Sequence, residues 1–146
     1  MHFGYDEKTT ALIEKVTAFM EAEVYPAEAV FKEQVEAATA DDMWSFPPIV
    51  MEIRAKAKAQ GLWNFFDPTE HGAGLTNLQY APIAELTGRS IQIAPAAFNC
   101  AAPDTGNMEV LSMFGTDEQK KRWLEPLLAG DIRSAFAMTE PQVASS

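Results

Sequence analysis

Cysteine is almost absent from this sequence. Among 146 residues only Cys100 carries a thiol, so the chain can close no internal disulfide and offers no Cys-x-x-Cys metal site. Histidine is scarce as well. His2 stands at a terminus expected to fray, and His71 sits in a Gly-rich stretch with no second imidazole or cysteine near it, so no metal site is expected. Positive charge is in short supply: 11 Lys and Arg face 21 Asp and Glu, a net charge of −10. That balance argues against nucleic acid and against an anionic membrane surface, both of which need clustered cations. An anionic ligand is left to backbone N–H groups or to one well-placed cation. No run of 18 apolar residues occurs, so no membrane span is expected. The opening "MHFGYDEKTT" has acids where a transit peptide avoids them and lacks the apolar core of a signal peptide, which predicts a cytoplasmic protein. Internal repeats and low-complexity tracts are missing too. What remains is ordinary for a soluble globular chain, 47% hydrophobic and 22% charged. A body of this length buries roughly 68–70% of its unfolded surface.

Helical periodicity dominates the pattern. Leu12, Ile13, Val16, Phe19, Met20 and Val24 recur at three- and four-residue spacing, one face of a helix over 7–24, while Glu7, Glu14 and Glu21 mark a solvated face. Pro26 is expected to end or kink that helix, and a second should run over 27–39. Pro47 and Pro48 suit the first turn of a third helix, with Val50, Ile53 and Ala57 inward, Glu52 and Lys56 outward, and Gly61 just past its end. "GLWNFFDPTEHGAGLTN" (61–77) is too aromatic for a linker and reads as a packed loop. Thr76 with Gln79, and Thr116 with Gln119, are capping boxes that start two further helices. Between them lies another, with Met108, Val110, Leu111 and Phe114, stopped by Gly115. Pro126 should break the last helix into two turns that end at Gly130. Only at Ile132–Met138 does the period turn strand-like. Five or six helices followed by the first strand of a further unit is the expected order.

Few residues offer chemistry. Cys100, in "FNCAAP", has apolar neighbours and no cation in sequence reach, so it reads as a buried, inert thiol. "HGAG" (71–74) contains G-x-G without a third glycine or a preceding strand, so it reads as a turn and not as a phosphate cradle. The C-terminal "SAFAMTEPQVASS" (134–146) fits two descriptions. It is either a plain strand ending at a proline turn or a surface for a flat ring, because Ala135 and Ala137 let a ring approach the backbone and Thr139 can bond a heteroatom. A flavin, whose electron affinity is tuned by donors around its ring, needs such a surface.

At this point the sequence resembles the acyl-CoA dehydrogenase family. "FGTDEQKKRWLEPLLAGDIRSAFAMTEP" (114–141) resembles the segment by which that family is most readily recognised, and "GLWNFFDPTEHGAGLTN" resembles its Gly-rich loop after the early helices. The likeness runs from about residue 7 to the last residue, in order and spacing. "TEPQVASS" is similar to a subgroup that reads "TEPDVASSDA". The resemblance implies an all-α N-terminal domain, an orthogonal up-down helical bundle over 1–131, with 132–146 as the first strand of a middle β domain. It implies FAD as cofactor, with Phe136, Met138 and Thr139 along the flavin, the Thr139 hydroxyl on the pyrimidine side, and Ser145 touching both FAD and the thioester end of the substrate. Phe136 stands where many members have Tyr, and Gln142 and Val143 replace a small Gly-Ala pair. The implied reaction takes an α-proton and a β-hydride from an acyl-CoA to give the trans-2-enoyl-CoA, with the hydride going to flavin N5. Electrons would pass to electron-transferring flavoprotein, and the full-length protein would be a homo-oligomer.

The implied base is a carboxylate in a C-terminal domain beyond residue 146, so no catalytic residue is expected here, Glu140 included. The chain is accordingly expected to be a fragment, inactive alone, with Trp63 and Phe65 exposed toward the rest of the enzyme. Two other readings stand beside this one: an acyl-CoA oxidase-like flavoenzyme on the same scaffold, and a non-catalytic helical interaction domain.

Overall fold

The computed structural model of the chain describes residues 4–42, 45–138 and 142. Every regular element among the described residues is helical, as expected of an all-α domain. The order is α1 (Glu7–Phe19), α2 (Tyr25–Ala37), a short 3-10 turn (Ala40–Asp42), α3 (Pro48–Ala59), α4 (Asn77–Gly88), α5 (Ala94–Ala97), α6 (Asp104–Phe114), α7 (Asp117–Gln119) and α8 (Glu125–Ala129). The chain divides into two compact units, residues 1–100 and 101–146.

In the first unit the helix does not end at Pro26, one of the two outcomes expected there. A π-helical turn, Met20–Val24, joins α1 to α2 without interruption, and the Tyr25 amide donates to the Met20 carbonyl five residues back. The reason lies in the proline itself. In a regular helix its ring would meet the Ala22 carbonyl, and widening the preceding turn relieves that clash. Asp6 starts α1 as an N-cap, its Oδ1 accepting from the Thr9 amide at 2.7 Å, and its Oδ2 accepts from Gln79 Nε2 at 2.9 Å. Because Gln79 also closes the capping box of α4, this one carboxylate links two helix starts.

Helix α1 packs on α4, and α3 packs on α2 and α5. Val50, Ile53 and Ala57 of α3 are buried, as their spacing predicts. Gln34 Oε1 accepts from the Ile49 amide at 2.9 Å, satisfying a donor at the start of α3 that has no partner within the helix. Phe98 lies at the middle of the core, with its ring 5.4 Å from that of Phe19 and 5.5 Å from that of Phe65. Burying one such side chain is worth roughly 1.5–3 kcal/mol.

The aromatic loop after α3 corrects one expectation. Phe65 is 1% exposed and belongs to the core. Trp63 is half-buried under two cations, with the Arg54 guanidinium 5.0 Å and the Lys58 ammonium 5.2 Å from its ring. Arg54 lies also 5.0 Å from the Phe46 ring, and its Nη1 donates to the Ala96 carbonyl at 2.6 Å. The loop folds inward because its aromatics find ring partners and a guanidinium, not because it is apolar throughout.

In the second unit α6 packs on α8 and on another π-helical turn, Lys120–Leu124, that joins α7 to α8. Pro126 follows this turn as Pro26 follows the first, and the Glu125 amide donates to the Lys120 carbonyl. So the expected break is again a continuous, widened helix. Gly130 ends it with φ +77°, a left-handed residue that glycine adopts without a Cβ penalty. Residues 133–138 form no regular element, and no strand exists among the described residues. The expected strand at 132–138 is therefore absent as a strand: a lone segment with no partner strand has no ladder to join.

Candidate functional site

The segment that follows α8 is tied down at one residue. Ser134 donates twice to Asp104 Oδ1, from its amide at 2.7 Å and from its hydroxyl at 2.6 Å. Asn107 Nδ2 donates to the Ser134 hydroxyl oxygen at 2.8 Å. Asp104 and Asn107 share one face of α6 by their three-residue spacing, and Asp104 is only 8% exposed. Its place in the first turn of α6 also sets its negative charge against the positive end of the helix dipole.

Past this tether the segment is open. Phe136 is 66% and Met138 70% exposed, with Ala135 and Ala137 as small exposed neighbours. Two large apolar side chains left bare within three residues make a surface suited to an apolar or aromatic partner. Thr139 and Ser145, and with them Glu140, lie outside the described residues. Of the four candidate residues, Phe136 and Met138 thus stand on one exposed segment. Sequence reasoning passed over Asp104, Asn107 and Ser134. The i,i+3 pair was visible in "PDTGN", but its partner lies 30 residues further on, and nothing local joins them.

Other candidates lose their case on geometry. Among the described residues no three His, Cys, Asp or Glu side chains gather as a metal site. In the Gly-rich loop the amides of Gly72, Ala73 and Gly74 all donate inward, to the carbonyls of Thr69, Asn64 and Asp67. None is left to cradle a phosphate. A side chain at Gly72 would come within 2.3 Å of the Asp67 carbonyl oxygen, so the turn closes too tightly for any other residue. Asn64 and Asn99, both at positive φ, brace the loop through an amide–amide bond of 2.7 Å. Cys100 is half-buried, and its Sγ lies 3.3 Å from the Phe98 carbonyl as a donor. Burial holds its pKa above the ordinary thiol value and raises that of the neighbouring Tyr80 hydroxyl in the same way. A thiol kept protonated is a poor nucleophile. No helix of the described residues is long and apolar enough to cross a membrane.

An all-helical domain that leads into an open apolar segment is thus the class the geometry defines. The family described as acyl-CoA dehydrogenase, N-terminal domain, matches residues 6–131, and the chain belongs to the acyl-CoA dehydrogenase family. The chain is 53% identical to a probable acyl-CoA dehydrogenase, FadE2, of Mycobacterium tuberculosis, over all of this chain and 35% of that protein. It is 50% identical to acyl-CoA dehydrogenase family member 10 of Mus musculus, over 98% of this chain and 14% of that one. The structure of a protein described as a putative acyl-CoA dehydrogenase, from Mycobacterium abscessus, superposes with a TM-score of 0.86 at 52% identity, covering 98% of this chain and 37% of that one. The chain therefore spans between 14% and 37% of the length of these relatives.

Proposed function

We propose that this chain forms the N-terminal helical part of an FAD-dependent acyl-CoA dehydrogenase and supplies one side of its flavin pocket. The observation that carries this reading is the exposed pair Phe136 and Met138, held out beyond the Ser134 tether in a chain about half identical to acyl-CoA dehydrogenases. The residues present fit a flavin: the alanines at 135 and 137 leave the main chain accessible, and the two large side chains offer apolar contact to a ring. Phe136 and Met138 would line the ring, and Thr139 and Ser145 would add hydroxyl donors, Ser145 also toward the substrate thioester. FAD, when bound, supplies the hydride acceptor for oxidation of acyl-CoA to trans-2-enoyl-CoA. This chain's part is to bind and orient; the base that takes the α-proton would come from sequence outside these 146 residues. Electron-transferring flavoprotein would be the acceptor, and the full-length protein a homo-oligomer. Val110, Met113 and Phe114, exposed together on one face of α6, suit coverage by the additional length that the relatives possess.

The test uses the full-length protein. It should purify yellow, and saturated acyl-CoA should bleach its flavin in the absence of oxygen and drive turnover with a dye or electron-transferring flavoprotein. The 146-residue chain with added FAD should give no turnover. Stoichiometric hydrogen peroxide with oxygen as acceptor would establish an oxidase instead. A colourless full-length protein that no acyl-CoA affects would point to an interaction domain and overturn the proposal.

A further inference from the structure

The Ser134 tether engages both of that residue's donors and its hydroxyl oxygen. Its amide and hydroxyl hydrogens both go to Asp104 Oδ1, and its hydroxyl oxygen accepts from Asn107. The amide bond fixes the path of the chain and the hydroxyl bonds fix the side-chain rotamer, so the residue is held in position and in rotation. A carboxylate acceptor makes such bonds short and about twice as strong as neutral ones. Phe136 follows two residues later, within about 7 Å of extended chain.

From this we infer that Asp104 and Asn107 are positioning residues for the flavin-facing segment. By clamping Ser134 they set where Phe136 and Met138 meet the ring. The inference rests on the flavin reading proposed above. It also accounts for a nearly buried carboxylate that a helix cap alone does not explain, since two of its contacts go to a residue far along the chain.

The experiment compares Asp104→Ala, Asp104→Asn, Asn107→Ala and Ser134→Ala in the full-length flavoprotein, reading kcat and KM separately, the visible flavin spectrum, the flavin midpoint potential and the melting temperature. Asp104→Ala should keep its flavin yet lose about 10- to 100-fold in kcat with little change in KM, the loss expected when a contact drifts by ~1 Å. Its flavin bands should shift. Asp104→Asn keeps an acceptor oxygen and should recover most of the rate, while Ser134→Ala keeps the amide bond and should fall between. If the variants lower only the melting temperature, leaving kcat, spectrum and potential as in the wild type, the clamp is structural and the inference is wrong. Should Asp104→Ala fail to fold, Ser134→Ala and Asn107→Ala decide alone, and an unchanged rate and spectrum in both refutes it. Flavin present but unmoved by every variant rejects the positioning role and leaves the flavin reading standing. A wild-type protein without flavin rejects that reading, and the positioning role goes with it.

Discussion

Replacing Arg54 with methionine removes one guanidinium and leaves a stem of similar reach. In the native chain that guanidinium donates to the Ala96 carbonyl at 2.6 Å and lies 5.0 Å from both the Phe46 and the Trp63 ring. The residue is buried, so water takes over none of these contacts cheaply. A hydrogen bond from a charged donor is worth about 1.5–3 kcal/mol. Each ring contact adds about 0.5–2 kcal/mol. Methionine regains some apolar contact, since its stem and sulfur still cover the rings. The net loss should be about 3 kcal/mol, a large fraction of the roughly 5–15 kcal/mol that a domain possesses. Urea unfolding followed by circular dichroism reads it as a midpoint lowered by about 1–2 M at unchanged slope, for a slope near 2 kcal/mol/M. Arg54→Lys keeps the charge without the planar fork and should recover only part of the loss. Trp63→Leu combined with Arg54→Met should cost less than the two singly, because both remove the same contact. A methionine variant within about 0.5 kcal/mol of the wild type, the usual range for a surface change, would refute the account.

Three more outcomes are expected. The bonds from Thr9 and Gln79 hold the Asp6 carboxyl below its ordinary pKa. A depressed folded-state value means that its contribution is present above the unfolded pKa and is lost as pH falls through the folded one. Melting temperature should therefore drop on acidification below about pH 4, and Asp6→Asn should flatten that part of the profile; an identical profile in the variant would refute the link. Gly72→Ala would place a Cβ 2.3 Å from the Asp67 carbonyl oxygen and 2.4 Å from its Cβ, so the loop must shift. Differential scanning calorimetry should show a loss of about 1–3 kcal/mol, and no loss would mean that the turn is looser than drawn. Thr139→Val in the full-length protein should retain FAD while slowing its reduction in stopped flow by about 10- to 100-fold, the equivalent of one hydrogen bond to a charged acceptor. Reduction at the wild-type rate would reduce Thr139 to a turn residue.

What could be read from the residues alone was local. The Thr76–Gln79 and Thr116–Gln119 boxes both form, because a cap is settled by side chains three residues apart. Gly61 and Gly130 end their helices at positive φ for the same reason. The inward face of α3 followed from its period. Neither proline ends its helix, and removing an N–H tells nothing of whether the preceding turn widens or breaks. Phe65 misled because its burial depends on Phe98, 33 positions away along the chain. For the candidate site, Phe136 and Met138 were found through family resemblance, whereas Asp104 and Ser134 needed the fold to meet. The resemblance named residues expected to face a cofactor but not what holds them.

The two widened turns carry a consequence for how this sequence can change length. A closure from residue i to i+5 takes in one residue more than the i to i+4 closure of an α-helix. Each proline is thus matched by one surplus residue just upstream, within 20–24 and within 120–124. One residue is about 100° of helical rotation, so the surplus decides which way all later side chains face. Changing Pro26 to alanine alone leaves the extra residue behind, and a relaxed helix would then turn Ala27 and its successors off the core. Deleting one residue between 21 and 23 at the same time restores the phase. Insertion and proline are therefore a matched pair, and an alignment gap at either turn should travel with the loss of its proline.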